Sequence, residues 1–394
     1  MQENPSARPK PKLTAAQQID FMKRSGVRFD LFPESLAERF LTRRNYFFKV
    51  KAFSKNFDRW RGPDGAPGAY MNLDFAYLVE LSRLDMHLRS LVLSASLDIE
   101  HFLKVGINEA IMADGSCDGY DVVDGFLRYD EARKRSLLGK GLDGGAVADA
   151  VGLVGESISD VARLMDGWQE GEPLPDAVVG ALDGIRGTID ELTAGIDLHH
   201  IEKSIARLGS SSYSRKIARK YGSPGRMAAW NLMELASFGD IISLYKYCLI
   251  ERAGRKDETA QAVKPLLFPA KTLRNAAAHN SCLMHGLRDR LSAPVGAIAK
   301  ALRDEYGYGA EEVAATKRVP IVHDLSALLI CYDRVVEGTD IRHERAAEMR
   351  LLEGRLTRHL DYFSKQPEVT AAVSFMADLL EGFADALEGH PSSS

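Results

Sequence analysis

The run Leu78-Val79-Glu80-Leu81-Ser82-Arg83-Leu84-Asp85-Met86-His87-Leu88-Arg89-Ser90-Leu91, carried on through Leu97, Ile99, Phe102 and Leu103, decides the fold. Its leucines return every three or four residues, the spacing that gathers side chains on one face of an α-helix. Glu80, Arg83, Asp85, Arg89 and Glu100 punctuate the run with charge. One long amphipathic helix is therefore predicted from 72 to about 114. The strict alternation of a half-buried strand is scarce in the chain, and no repeat of roughly 20–50 residues is visible. The expected fold class is all-α.

Towards the N-terminus, residues 1–12 are polar and proline-rich and read as a flexible tail. A helix is predicted from Thr14, with Ala15, Ile19 and Met22 on one face and Gly26 closing it. A second is predicted from Glu34 to about Phe57, carrying Leu36, Phe40, Leu41, Phe47, Phe48, Phe53 and Phe57. The stretch Gly62-Pro63-Asp64-Gly65-Ala66-Pro67-Gly68 is a loop, because glycine and proline together defeat both regular structures. Beyond the long helix, helical periodicity marks about 200–221, 228–252, 270–285, 295–305, 321–336, 340–364 and 368–388. Between them, residues 141–198 hold twelve acids against two bases, a net charge of −10. Two apolar helical stripes there flank Gly171-Glu172-Pro173-Leu174-Pro175, so this is read as an acidic helical hairpin inserted into a larger fold. One reading is a pair of solvated helix faces; the other is a shield over a basic groove. The domain expectation is a helical domain over 13–290 containing that insertion. Residues 291–394 would be extra C-terminal helices on the same bundle, with Ile321, Leu325, Leu328 and Leu329 as their core face.

Composition narrows the class. The chain has 394 residues, 45% apolar and 27% charged, with a net charge of −4. That is globular composition rather than disorder. Cys117, Cys248, Cys282 and Cys331 are scattered, with no C-x-x-C pair. This argues against a disulfide framework and a thiolate metal site, and for a reducing cytoplasmic setting. No apolar run approaches the ~20 residues of a membrane span, so no membrane partner is expected. No P-loop or dinucleotide glycine pattern and no serine-hydrolase elbow is present. His199-His200 invites a metal, but adjacent histidines project to different helix faces and no second ligand cluster supports them. Neither a metal nor another cofactor is expected.

The chemistry concentrates in Arg274-Asn275-Ala276-Ala277-Ala278-His279. Asn275 and His279 share a helix face at i, i+4, while Arg274 points ~140° away from His279 and must bend round or lie at a helix end to join them. An imidazole exchanges a proton near neutrality, and a permanently charged guanidinium suits a phosphate or a phosphorane. RNA cleavage needs those two roles and little else, since the 2′-hydroxyl of the substrate is the nucleophile. The same spacing could equally mark a structural polar network. A second Arg-x4-His, Arg318 to His323, has Pro320 inside it and no Asn after the Arg; it reads as chance.

Leu273-Arg274-Asn275-Ala276-Ala277-Ala278-His279-Asn280 resembles the signature of HEPN-domain proteins, and its surroundings are similar to one branch, the Abi-like (abortive infection) family. Lys12-Leu13-Thr14 with Gln17-Gln18-Ile19 resembles the opening segment of that family, and Asn45-Tyr46-Phe47 its Asn-Tyr-Tyr element. Leu84-Asp85 with Leu88-Arg89 and Ile99-Glu100 looks like its central helix. Trp230, Glu234-Leu235-Ala236-Ser237-Phe238-Gly239 and Leu244-Tyr245 resemble the run before its catalytic helix. The chain differs after His279, where Asn280-Ser281-Cys282 replaces the usual second His and Arg, and in carrying the acidic insertion. The resemblance implies a HEPN-like helical bundle that forms a homodimer in which two Arg-x4-His motifs face each other. It implies metal-independent cleavage of RNA, with Arg274 on the phosphate, His279 as general acid and base, and Asn275 orienting the histidine or supporting the helix end.

Two basic stretches would suit an RNA track. Residues 38–62 interleave eight Lys and Arg with Tyr46, Phe47, Phe48 and Trp60; against this, Phe47 and Phe48 cannot both be surface stackers. Residues 203–226 contain no acid, and Arg215, Lys216, Arg219 and Lys220 are the candidate RNA contacts. The leading expectation is an endoribonuclease of an anti-phage abortive-infection or toxin–antitoxin system, partnered by its RNA substrate and an RNA or protein antitoxin. It would leave a 2′,3′-cyclic phosphate. The alternative is a catalytically silent HEPN-like module that binds RNA or protein.

Overall fold

The computed structural model describes residues 12–61, 67–141, 200–208, 211–221, 223–254, 256–291, 294–314 and 318–389. The tail 1–11, the acidic segment 142–198 and His199 lie outside the described residues, and with them the expectations placed on them. The chain forms two compact units, one from residues up to Val105 and from Arg255 onward, the other from Gly106 to Gly254. The regular structure of the described residues is helical, apart from one small antiparallel hairpin, Arg59–Arg61 with Pro67–Tyr70, and one isolated bridge, Arg28 with Asp74. No helix among them is long and apolar enough to cross a membrane.

The first unit opens with α1 (Ala15–Arg24). Thr14 and Gln17 cap each other's backbone amides there in a capping box. Gly26, at φ +87°, turns the chain so close to the hairpin that a Cβ would sit 2.8 Å from the Tyr70 nitrogen. The predicted helix from 34 to 57 is in fact two, α2 (Glu34–Arg43) and α3 (Phe47–Phe53). Asn45 makes the break. Its side chain accepts the Tyr46 amide at 2.9 Å and donates to Ser82 at 2.7 Å, satisfying locally what a continuing helix would have bonded.

The long helix, α4 (Phe75–Ala113), begins at Asp74, whose buried carboxylate accepts the amides of Ala76, Asp30 and Leu31. Leu78, Leu81, Leu84, Leu88, Leu91, Ile99 and Leu103 are buried as the periodicity predicts. Leu97 is not; it is 63% exposed. It stands nine residues from Leu88, two and a half turns at ~3.6 residues per turn, and so on the opposite face.

Six further helices complete the unit: α10 (Glu258–Val263), α11 (Leu267–Ala278), α12 (Gly296–Asp304), α14 (Pro320–Val335), α15 (Thr339–Arg358) and α16 (Pro367–Gly389), with the short α13 (Ala310–Ala314) between α12 and α14. α14 packs against α11, α12 and α16, and α15 pairs with α16. Ile321, Leu325, Leu328 and Leu329 are all buried, and so are Ser326, Ala327, Ile330, Cys331 and Tyr332, so the middle of α14 is buried on every side. Charges that enter this core are partnered. Asp98 receives Arg345 at 3.0 Å and the Tyr332 hydroxyl at 3.1 Å, and Arg342 holds Asp333 at 2.7 Å.

The second unit holds the end of α4, then α5 (Tyr120–Gly141), α6 (His200–Leu208), α7 (Arg215–Tyr221), α8 (Ala229–Leu235) and α9 (Phe238–Lys246). The predicted helix over 228–252 breaks at Ser237. Its hydroxyl accepts the Asp240 amide while the Asp240 carboxylate takes the Ser237 amide, a capping box that restarts the chain as α9. Arg252 joins Asp114 and Asp121 at 2.9 and 3.2 Å.

Candidate functional site

The site is built on the last turn of α11. That helix runs Leu267–Ala278 with Leu267, Pro269, Ala270, Leu273 and Ala277 buried, leaving a polar edge at Arg274, Asn275 and His279. The predicted continuation to 285 does not occur. His279 is the C-cap, and Asn280 adopts φ +56°, a left-handed conformation that asparagine tolerates better than other non-glycine residues. The Ser281 amide returns to the Ala276 carbonyl at 2.9 Å and the Asn280 amide to Ala277 at 3.1 Å. This is a Schellman closure with asparagine in the place usually taken by glycine. It leaves the His279 side chain exposed at the end of the helix.

The Arg274 guanidinium donates to the Asn275 side-chain oxygen at 3.1 Å, so these two side chains are together. His279 is tied to Asn275 through its backbone amide, at 2.9 Å. No hydrogen bond joins the Asn275 and His279 side chains among the described residues.

Sequence reading missed the group that holds this helix end in place. The Lys49 ammonium, almost wholly buried, reaches Asn280 at both its side-chain oxygen (2.8 Å) and its carbonyl (3.2 Å). Lys49 is 3.6 Å from the fully buried Asp85. Asp85 accepts the amides of Leu283 and Met284 and pairs with Arg89, which also reaches the Ser281 carbonyl at 3.1 Å. Asn56, fully buried, donates to the Met284 carbonyl at 2.7 Å and accepts the Leu287 amide at 3.0 Å. Four polar side chains from α3, its following turn and α4 thus pin the loop 280–287. One signal was available: Asp85 falls on the apolar face of α4, one turn from Leu81 and from Leu88, where an unpartnered charge is not tolerated. Burial, then the nearby Asp85 carboxylate, pushes the Cys282 thiol above its usual range.

The basic stretch 38–62 separates by burial. Phe47 packs edge-on against Phe21, Phe53 and Phe57 are core, and Lys49 belongs to the clamp, while Tyr46, Phe48 and Trp60 are exposed. Arg215, Lys216, Arg219 and Lys220 lie on the short α7, which belongs to the second unit, and the helix that carries Arg274, Asn275 and His279 belongs to the first. The second Arg-x4-His resolves into structure. His323 is buried, accepts the Val295 amide at Nε2 (3.0 Å) and faces Asp324 with Nδ1 (2.8 Å), which makes it a fastener of the loop before α12. No group of three His, Cys, Asp or Glu side chains gathers in metal-ligand arrangement among the described residues.

Comparison with known proteins gives one family. No curated protein and no solved structure matches the chain. The family match covers the clamp residues Lys49, Asn56, Asp85 and Arg89 and stops well before Arg274. Through residues 39–147, which match the family model described as Abi-like protein, the chain is similar to the Abi-like proteins.

Proposed function

We propose that the protein is a metal-independent endoribonuclease of an abortive-infection or toxin–antitoxin system, acting as a homodimer in which two α11 ends face each other. The observation that carries the reading is the exposed His279 at a rigidly closed helix end, with Arg274 drawn onto Asn275 one turn away. A proton-transfer group and a fixed positive charge on one helix end are the minimal set for transesterification of RNA. The similarity of residues 39–147 to Abi-like proteins supports the abortive-infection part of this reading. In the reaction, one His279 imidazole takes the 2′-hydroxyl proton as the 2′-oxygen bonds to phosphorus. The bond from phosphorus to the 5′-oxygen breaks, and the partner's protonated His279 gives that oxygen its proton. Arg274 faces the phosphorane charge. The products are a 2′,3′-cyclic phosphate and a 5′-hydroxyl.

A second reading has its own observation. The Asn275 oxygen accepts from Arg274, a bond that a structural network would also make, and a silent module binding RNA or protein through this face would keep it. Cleavage of total RNA in EDTA by the wild type, Arg274→Ala and His279→Ala distinguishes the two. The enzyme predicts cyclic phosphate ends from the wild type only, with unchanged melting of His279→Ala, because that side chain is exposed. RNA bound but uncut by all three proteins refutes the nuclease.

A further inference from the structure

A second polar concavity lies in the first unit between α4 and α15. A cavity of about 200 Å³ is lined by Glu80, Arg83 and His87 from α4 and by Arg355, Arg358 and His359 from the end of α15. It shares His87 and Arg355 with an adjoining cavity of about 160 Å³ whose wall includes Leu351 and Leu352. Arg83 and His87 stand two residues either side of Asp85, about 200° round α4 at ~100° per residue. The concavity therefore faces away from the side of α4 that clamps the loop after His279, and it stands whether or not that site is a nuclease.

The arginines set it apart. Basic residues in a last helical turn are ordinary partners of the helix dipole. On α15, however, Arg342, Arg345 and Arg350 each hold a carboxylate. The half-buried Arg355 and the exposed Arg358 hold none among the described residues, yet they meet a third arginine from α4 in one cavity. Arg83 makes only a loose 3.5 Å approach to Glu80, a carboxylate almost wholly buried at the cavity wall. Three guanidinium groups around one hollow suit the oxygens of a phosphate monoester. A buried carboxylate with spare acceptor capacity suits ribose hydroxyls, and the Leu351–Leu352 wall offers an apolar bed for a base. His87 is pushed below its ordinary range by burial and by Arg355, so it adds a neutral donor and acceptor rather than a further charge.

We propose that the cavity between α4 and α15 binds a ribose 5′-phosphate unit, with the phosphate on Arg83, Arg355 and Arg358 and the sugar hydroxyls on Glu80. That unit occurs in a free ribonucleotide and at the 5′ end of an RNA. The test is calorimetric titration of the full chain at constant ionic strength with the four ribonucleoside 5′-monophosphates, their 2′-deoxy forms, and a tetranucleotide with and without its 5′-phosphate. The proposal predicts binding of at least one ribonucleotide or of the 5′-phosphorylated tetranucleotide only. That binding should weaken about tenfold or more in each of Arg355→Ala and Arg358→Ala. Glu80→Gln should narrow the preference for ribose over deoxyribose. Arg358 is exposed, so its variant folds even if Arg355→Ala does not. Absence of binding by every probe, or binding unchanged in Arg358→Ala, overturns the proposal, as does equal binding of the 5′-phosphate and 5′-hydroxyl tetranucleotides with no free nucleotide bound.

Discussion

Replacing Asp85 by alanine removes the centre of the clamp behind the candidate site. In the wild type this carboxylate, fully buried, accepts two backbone amides, pairs with Arg89 and faces the Lys49 ammonium at 3.6 Å. Its loss strands a buried lysine and orphans the amides of Leu283 and Met284. Breaking a buried ion pair from one side costs about 3–5 kcal/mol, and each buried donor left unpaired about 1–3. The costs overlap, because loop 280–287 can open to water and relieve all of them together, so we expect about 3–5 kcal/mol in all. Asp85→Asn keeps one acceptor for the amides and should cost less. Lys49→Met removes the stranded charge, so the Asp85→Ala, Lys49→Met double variant should be more stable than the single costs predict, by about 2 kcal/mol or more. Urea unfolding gives the totals, and amide hydrogen exchange across 280–287 locates the opening. A cost under about 1 kcal/mol with exchange protection intact, or a coupling near zero, would refute the clamp. If the nuclease reading holds, Asp85→Ala should also cut less RNA per folded molecule, because His279 loses its fixed base.

Other positions give shorter tests. Asn280→Ala should destabilise by about 1–2 kcal/mol, from the left-handed φ that alanine resists and from the lost Lys49 acceptor, whereas Asn280→Gly should retain only the second cost; chemical denaturation compares them. Gly119→Ala should lose about 1–3 kcal/mol and shift tryptophan emission, because its φ is +80° and a Cβ would lie 2.6 Å from the Trp230 ring. Burial pushes the Cys248 and Cys331 thiols up to about 12, so iodoacetamide at pH 8 should leave both unmodified in the native protein and reach them only on unfolding, as mass spectrometry of the labelled peptides will show. Asp114 is held down to about 2 by the Ser116 hydroxyl and amide and by Arg252. A depressed carboxylate stabilises above its unfolded value of ~3.9 and loses that contribution as pH falls towards 2. Asp114→Asn should therefore flatten the acid limb of the melting curve over that window.

Class, core and chemistry differ in how far they can be traced from the chain alone. The leucine spacing of 78–91 and the core face of Ile321, Leu325, Leu328 and Leu329 sufficed for an all-α fold, because helical periodicity is a local property that burial then rewards. Arg274, Asn275 and His279 were visible as a chemical set for the same reason: all three lie within about two turns. Three things depended on tertiary structure. One helix break was decided by a side chain bonding far along the chain, Asn45 to Ser82, which periodicity does not record; the break at Ser237 is a local capping box with Asp240. The clamp joins Lys49 to Asp85 and Asn280 across 36 and 231 residues, and no local pattern announces a contact between residues so far apart in the chain. The meeting of Arg83 with Arg355 and Arg358 is of the same kind: each reads alone as a solvated helix charge, and only the packing of α15 beside α4 brings three guanidinium groups, one of them loosely paired with Glu80, around one hollow.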